Sequence, residues 1–391
     1  MAARQEIHPS DHRREDLIAL PRDPSAVEGM SDPGDLAIRV ISFGDPGARP
    51  KAYLQAGLHA DELPGLLVLS KLIDLLDEAA REGRIIGEIV VVPVANPIGL
   101  KQRTSGYIRG RNDFSSGENF NRGYANLAAL IDGEIGATLT DNASENIAAI
   151  RDAMGAVLDR MTPMTALETM RHGLLTRAHD ADIALDVHAD NEALLHIYTG
   201  TPLWPDAEDL AAELDARAVL LAERSGGDPF DEACSAPWWE LARKFPGKPI
   251  PAACLAATVE LRSNNAVDDK DADQDARGLF RFLMRRGLIE GEAGGVPRLL
   301  ADATALNAMQ QLKAETEGLL IYHARLGDTV RAGDLIAEII NPFGGRSQIH
   351  AHTDGLLFAR HDQRYAWPGK VIGKIAGRDP LPERVGDLLT P

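Results

Sequence analysis

Apolar positions along the chain switch between two spacings, and each switch marks an element. IRVISF (38–43) and AYLQAGLHA (52–60) read as strands, and Leu63 to Glu82 then takes up a helical period. Leu66, Leu67, Leu69, Leu72, Ile73, Leu75 and Leu76 supply its buried side. EIVVVPVAN (88–96) is an unbroken apolar run ending at Asn96-Pro97, the pattern of a strand covered on both faces. Strand, helix and strand at this spacing predict a crossover unit in a largely parallel sheet. Further on come a helical stretch around 141–179 and the strands DIALDVHA (182–189) and LLHIYTG (194–200). Helical signals from Asp206 to Arg224 precede a Pro-, Gly- and Trp-rich loop (225–251). The strand AACLAATVELRS (252–263) and a helix near 269–287 complete this part.

Past about residue 305 the runs become short and β-rich, punctuated by Gly, Asp and Pro every eight to twelve residues. The expected fold class is therefore α/β. A three-layer α/β/α domain around a mixed, mostly parallel sheet spans 36–300, after a polar arm (1–35) and before a small all-β domain (306–391). Within that last domain, 318–340 and 353–376 look like related halves and resemble the lipoyl/biotinyl barrel-sandwich. A carrier domain presents a modifiable lysine between its halves, and NPFGGRSQIHAH holds none. The domain is thus expected to be a lid, a pocket rim or a contact in a homo-oligomer.

Composition narrows the function. The formal net charge of -18 argues against nucleic acid and anionic membranes as partners. No run approaches the roughly 18 apolar residues of a membrane span. The N-terminal stretch has early charges of both signs and no apolar centre, unlike a secretory signal. Cys234 and Cys254 sit in unrelated contexts, which fits a reducing, cytoplasmic setting. Against this acidic background, Arg103, Arg109, Arg111 and Arg122 fall within twenty residues, a local concentration suited to an anionic small molecule.

The chemistry centres on GLHADELPG (57–65). His59 and Glu62 stand three apart, after a buried strand and at the mouth of the following helix, where ligands gather in open α/β sheets. Together they can bind one Zn²⁺ and leave room for a third protein ligand and a water. Taken alone, the pair is more simply a surface loop with an acid at a helix start. His188 in DVHAD ends another apolar strand and can supply the third ligand. Asp186 shares its face and is a candidate acceptor for an imidazole N–H, or caps a nearby turn. Glu260, in an apolar strand with Val259 and Leu261 on the opposite face, is either paired with Arg262 or functional.

The ordered set GLHADELPG, NPIGLKQR, GRNDFSSGENFNR, DVHAD and TVELRSN resembles the succinylglutamate desuccinylase/aspartoacylase group of the zinc carboxypeptidase superfamily, over about residues 50–290 and into the β-rich tail. The resemblance implies one zinc per chain, held by His59, Glu62 and His188, with Glu260 as general base. It implies that Asn121 and Arg122 grip a substrate carboxylate and that an arginine ahead of them polarises the scissile carbonyl. Here the loop is longer than the family spacing and offers Arg103, Arg109 and Arg111. Arg111, in the GRND element, is favoured, with Arg109 next. The expected activity is hydrolysis of the amide of an N-acyl amino acid or related small N-acyl compound. The rivals are a peptide-cleaving metallocarboxypeptidase and a catalytically silent ligand-binding protein.

Overall fold

A computed structural model describes residues 12–21 and 36–389. Among them, nine strands form one sheet. Their order is Arg14–Ala19, Ala37–Phe43, Glu88–Val92, Lys51–Ala56, Ile183–Asp190, Leu255–Ser263, His196–Thr199, Ala218–Leu221, Ala303–Ala305. The four strands from Glu88–Val92 to Leu255–Ser263 run parallel, and antiparallel neighbours flank them. The N-terminal arm thus contributes an edge strand, Arg14–Ala19, paired with Ala37–Phe43.

Alternation along the central strands sorts their side chains between two cores. Ala52, Leu54 and Ala56, with Ile183, Leu185, Val187 and Ala189, pack on the face covered by helices Pro64–Arg81 and Asp269–Arg285. Leu255, Ala257, Val259 and Leu261 join them. Tyr53, Ala184 and Ala256 face the other layer, built by helices Ala143–Arg160, Ala166–Ala178 and Phe230–Lys244. The polar residues Asp186, His188 and Asp190 follow Ala184 on this second face, and Thr258 and Glu260 follow Ala256. The carboxyl end of the sheet is where this face stops being apolar.

Two expectations from the sequence need correction. The Asp206–Arg224 stretch is helical only over Glu208–Glu213, and Ala218–Leu221 becomes a strand between His196–Thr199 and Ala303–Ala305. The slot between two strands overrides the local helical period there. The 225–251 loop holds the helix Phe230–Lys244, which carries Pro237 inside it. Trp238 and Trp239 lie on that helix, Trp238 in the core and Trp239 against Leu203 and Ala236, so both are packing residues.

The C-terminal β region consists of two antiparallel sheets around their own apolar core. It is joined to the larger domain edge to edge, because the two-residue strand Glu192–Ala193 pairs with Gly355–Arg360. Glu192 also receives ion pairs from Arg360 and Arg364. Among the described residues, no helix is long and apolar enough to cross a membrane.

Candidate metal centre

Lys51–Ala56, Ile183–Asp190 and Leu255–Ser263 lie side by side and parallel, so their carboxyl ends open onto one place. Gly57 ends the first strand with φ 69°, a left-handed turn that an L side chain resists, and throws His59 and Glu62 across the sheet edge. His188 comes from the second strand, and Glu260 of the third is its direct neighbour in register. The cavity they share measures about 520 Å³ and is also lined by Arg111 and Arg122. The C-terminal β region forms its far rim through Arg360, Trp367 and Lys374.

His59 Nδ1 lies 2.9 Å from one Glu62 oxygen, and His188 Nδ1 lies 2.7 Å from the other. The far nitrogens are held as well. His59 Nε2 is 2.8 Å from Asn119 Oδ1, and His188 Nε2 is 2.8 Å from Asp186 Oδ2. Asp186 is in turn held by Gln55 Nε2 at 3.0 Å. Both rings therefore point the same nitrogen inward and are oriented from behind, the arrangement metal-binding imidazoles need. One donor atom from each of the three residues falls within 4.8 Å of the others, and all three side chains are buried. This is the one such group among the described residues, and its donor chemistry fits a divalent ion with an open position.

Electrostatics follow from burial and these contacts. Burial, then Arg111, lowers His59 to about 4. Burial opposes the charge on Glu62, but the two imidazoles hold it well below the usual carboxylate range. Burial opposes a charge on His188 too, yet Asp186 and Glu62 on either side keep it well above its usual value. Glu260 is pushed up to about 8, by burial first and then by Glu62. Its Oε2 is buried without a hydrogen-bond partner among the described residues. Arg262 does not pair with it, because that guanidinium is engaged by Asp275 at 2.6 Å.

The arginines divide. Arg111 Nη1 is 3.3 Å from His59 Nδ1 and 3.5 Å from Glu62. Its loop sits tightly on the His59–Glu62 loop: Gly110 O accepts from Ala60 N, and a Cβ on Gly110 would meet Ala60 Cβ at 2.6 Å. Arg122 lines the cavity, with Nη1 donating to Asn121 O at 2.7 Å. Arg109 lies outside the cavity wall, over the Tyr107 ring, and Arg103 is exposed on the adjacent hairpin. Asn121 lines the cavity but its Oδ1 accepts from Phe230 N at 2.9 Å, so that oxygen serves the fold. Sequence reasoning did not single out Asn119, although it stands in the same ENFNR run, nor Lys374, which no local pattern connects to the site.

The succinylglutamate desuccinylase/aspartoacylase catalytic domain model matches residues 48–286. The chain belongs to this family. An N-alpha-acetyl-L-2,4-diaminobutyric acid deacetylase of Halomonas elongata is 25% identical over 340 residues, covering 84% of this chain and 83% of its own. A family protein of Shewanella amazonensis superposes with a TM-score of 0.77 at 26% identity, over 93% of this chain and 98% of that one. The product-bound ectoine utilization protein EutE (DoeB) of Ruegeria pomeroyi shares the fold, with a TM-score of 0.65 at 17% identity over 95% and 96% of the two chains. These matches extend past the catalytic domain, so the desuccinylase/aspartoacylase fold and its β-rich tail are shared as a unit.

Proposed function

We propose that this chain is a cytoplasmic, zinc-dependent deacylase that hydrolyses the amide of an N-acyl amino acid or a related small N-acyl compound. The observation that carries this reading is the buried grouping of His59, Glu62 and His188 beside Glu260, whose Oε2 has no hydrogen-bond partner among the described residues. The Halomonas elongata relative, a deacetylase of an acetylated amino acid, supports the substrate class. The free, buried Cys234 and Cys254 agree with a reducing compartment.

His59, Glu62 and His188 would hold the zinc, which would supply Lewis acidity and lower the pKa of a water towards about 7. Glu260 takes the proton from the attacking water and delivers it to the departing nitrogen. Burial, and then the neighbouring Glu62, raise its proton affinity into the range where it can do both. Arg111 is the cation nearest the three ligands and steadies negative charge as it develops on the carbonyl oxygen. Arg122 offers a planar fork for the substrate carboxylate, with Asn121 beside it.

Metal analysis and a substrate panel test this. One zinc per chain is expected, together with release of free amino acid from N-acetyl, N-succinyl or N-formyl amino acids in preference to cleavage of dipeptides. Activity should disappear on chelation and return with zinc. Dipeptide cleavage without N-acyl hydrolysis would replace this reading with the carboxypeptidase one.

A further inference from the structure

Arg103 and Arg109 stand outside the cavity, yet the segment that carries them is well formed and firmly held. Arg103–Thr104 pairs with Tyr107–Ile108, and Ser105 and Gly106 close the turn with φ 52° and 85°, the two left-handed residues of a tight hairpin. Gln102 clamps its open end. The Gln102 backbone O accepts from Arg109 N at 2.9 Å, and its Nε2 donates to Arg109 O at 2.8 Å and to Asn112 O at 2.7 Å. Gly110, the next residue, rests on the His59–Glu62 loop, and Arg111 lines the cavity. The hairpin is therefore fixed to the cavity rim. Two residues of chain keep Arg109 within about 7 Å of Arg111, backbone to backbone, with Arg103 one strand further out.

The positive charge of this segment is not cancelled. Between Glu88 and Asp113 the sequence holds no acid, but it holds Lys101, Arg103, Arg109 and Arg111. The two acids that follow are engaged elsewhere: Asp113 accepts from Ser115 and Ser116, and Glu118 pairs with Arg171 at 2.8 Å. Among the described residues neither Arg103 nor Arg109 lies against a carboxylate, whereas the exposed Arg49, Arg243 and Arg277 each do. Arg109 lies instead over the ring of Tyr107, 6.0 Å from its centre, and both side chains are exposed.

An anion approaching this protein meets a repulsive mean field, because the chain carries a formal -18. Asp61, Asp190, Asp231, Glu232 and Glu260 in the cavity wall add acids where a carboxylate has to enter. Attraction must then be local. Two unit charges about 10 Å from an anion in water raise its local concentration about threefold at low salt, and screening removes most of this near 0.5 M.

We propose that the Arg103–Ile108 hairpin and Arg109 form an electrostatic collector that draws substrates of net negative charge to the cavity mouth. This rests on the deacylase reading above and adds a step before binding: Arg103 and Arg109 act on the approaching anion, and Arg122 on the bound carboxylate.

The test measures kcat and kcat/KM from about 10 mM to about 0.5 M salt. It uses the N-acetyl, N-succinyl or N-formyl amino acid of net negative charge that turns over fastest. The wild-type protein is compared with the double variants Arg103→Gln/Arg109→Gln, Arg103→Glu/Arg109→Glu and Arg103→Lys/Arg109→Lys. At low salt the glutamine pair should lower kcat/KM about threefold and the glutamate pair about tenfold, with kcat unchanged. The lysine pair should match the wild-type protein, and all four curves should converge at high salt. A loss of equal size at every salt concentration, or one shared by the lysine pair, would mark a structural role and overturn the proposal. Identical curves for all four proteins would overturn it too and leave the deacylase reading standing. If the wild-type protein hydrolyses no N-acyl amino acid, the deacylase reading fails and the collector falls with it.

Discussion

Lys374 of the C-terminal β region donates to Asp190, the residue two past His188 on the same strand face. The tail is therefore pinned to the strand that carries a proposed metal ligand. Asp190 is held well below the usual carboxylate range, burial working against its charge and Lys374 for it. Removing only the cation strands a buried anion, so Lys374→Met should cost about 3 kcal/mol. Adding Asp190→Asn should recover much of that loss. Denaturant unfolding of the two single variants and the double variant checks the cycle, and simple additivity would contradict the coupling.

Asp186 holds His188 from behind through the 2.8 Å contact with Nε2. Asp186→Ala should leave all three donors in place but free the ring, lowering metal affinity by about 10–100-fold. Titration with zinc against a competing chelator reads this directly. Unchanged affinity would mean that His188 is oriented by packing alone.

The two-residue alternation in DVHAD made Asp186 and His188 legible as one face, and the HADE and VEL strand ends announced where the site would open. Those signals are local, because strand period and strand end are both written within a few residues. Phe230–Lys244 was illegible because Pro237 and the tryptophan pair read as a loop, while tertiary burial of Phe230, Ala233, Trp238 and Leu241 stabilises the helix around them. The Lys374–Asp190 contact was unreadable for a different reason: 184 positions separate its partners, and no periodicity spans the gap. The arginine loop lies between these cases. Its charge was evident, but whether Arg109 or Arg111 turned inward depended on the close seat of Gly110 against Ala60.

His196 gives the protein a pH-dependent stability. Its Nδ1 contacts Leu194 O at 2.8 Å and its Nε2 has no hydrogen-bond partner among the described residues. Its ring packs edge-on against Phe358 of the tail, 4.8 Å between centroids. Burial lowers its pKa from 6.5 to about 4. Between these values the unfolded chain binds the proton and the folded chain does not, so stability is full above about 6.5 and is lost as the pH falls towards 4. The contribution is on the order of 3 kcal/mol. His196→Asn keeps the donor to Leu194 O without the titration, so its melting temperature should vary less over this interval than that of the wild-type protein. Parallel melting curves would show that His196 is not the titrating group.

Glu260 separates catalysis from stability most cleanly. A structural acid would be missed when neutralised, whereas a base without a protein partner would not. Its Oε2 is unpartnered and its pKa is raised to about 8, so the fold bears the cost of this carboxylate's charge. Glu260→Gln keeps the shape and removes that cost. The variant should melt no lower than the wild-type protein and bind one zinc per chain, while kcat falls by about 10²–10⁴. Metal analysis, calorimetry and single-substrate kinetics on one preparation give all three readings. Retained turnover would remove Glu260 from the mechanism, and lost zinc would reassign it to the metal.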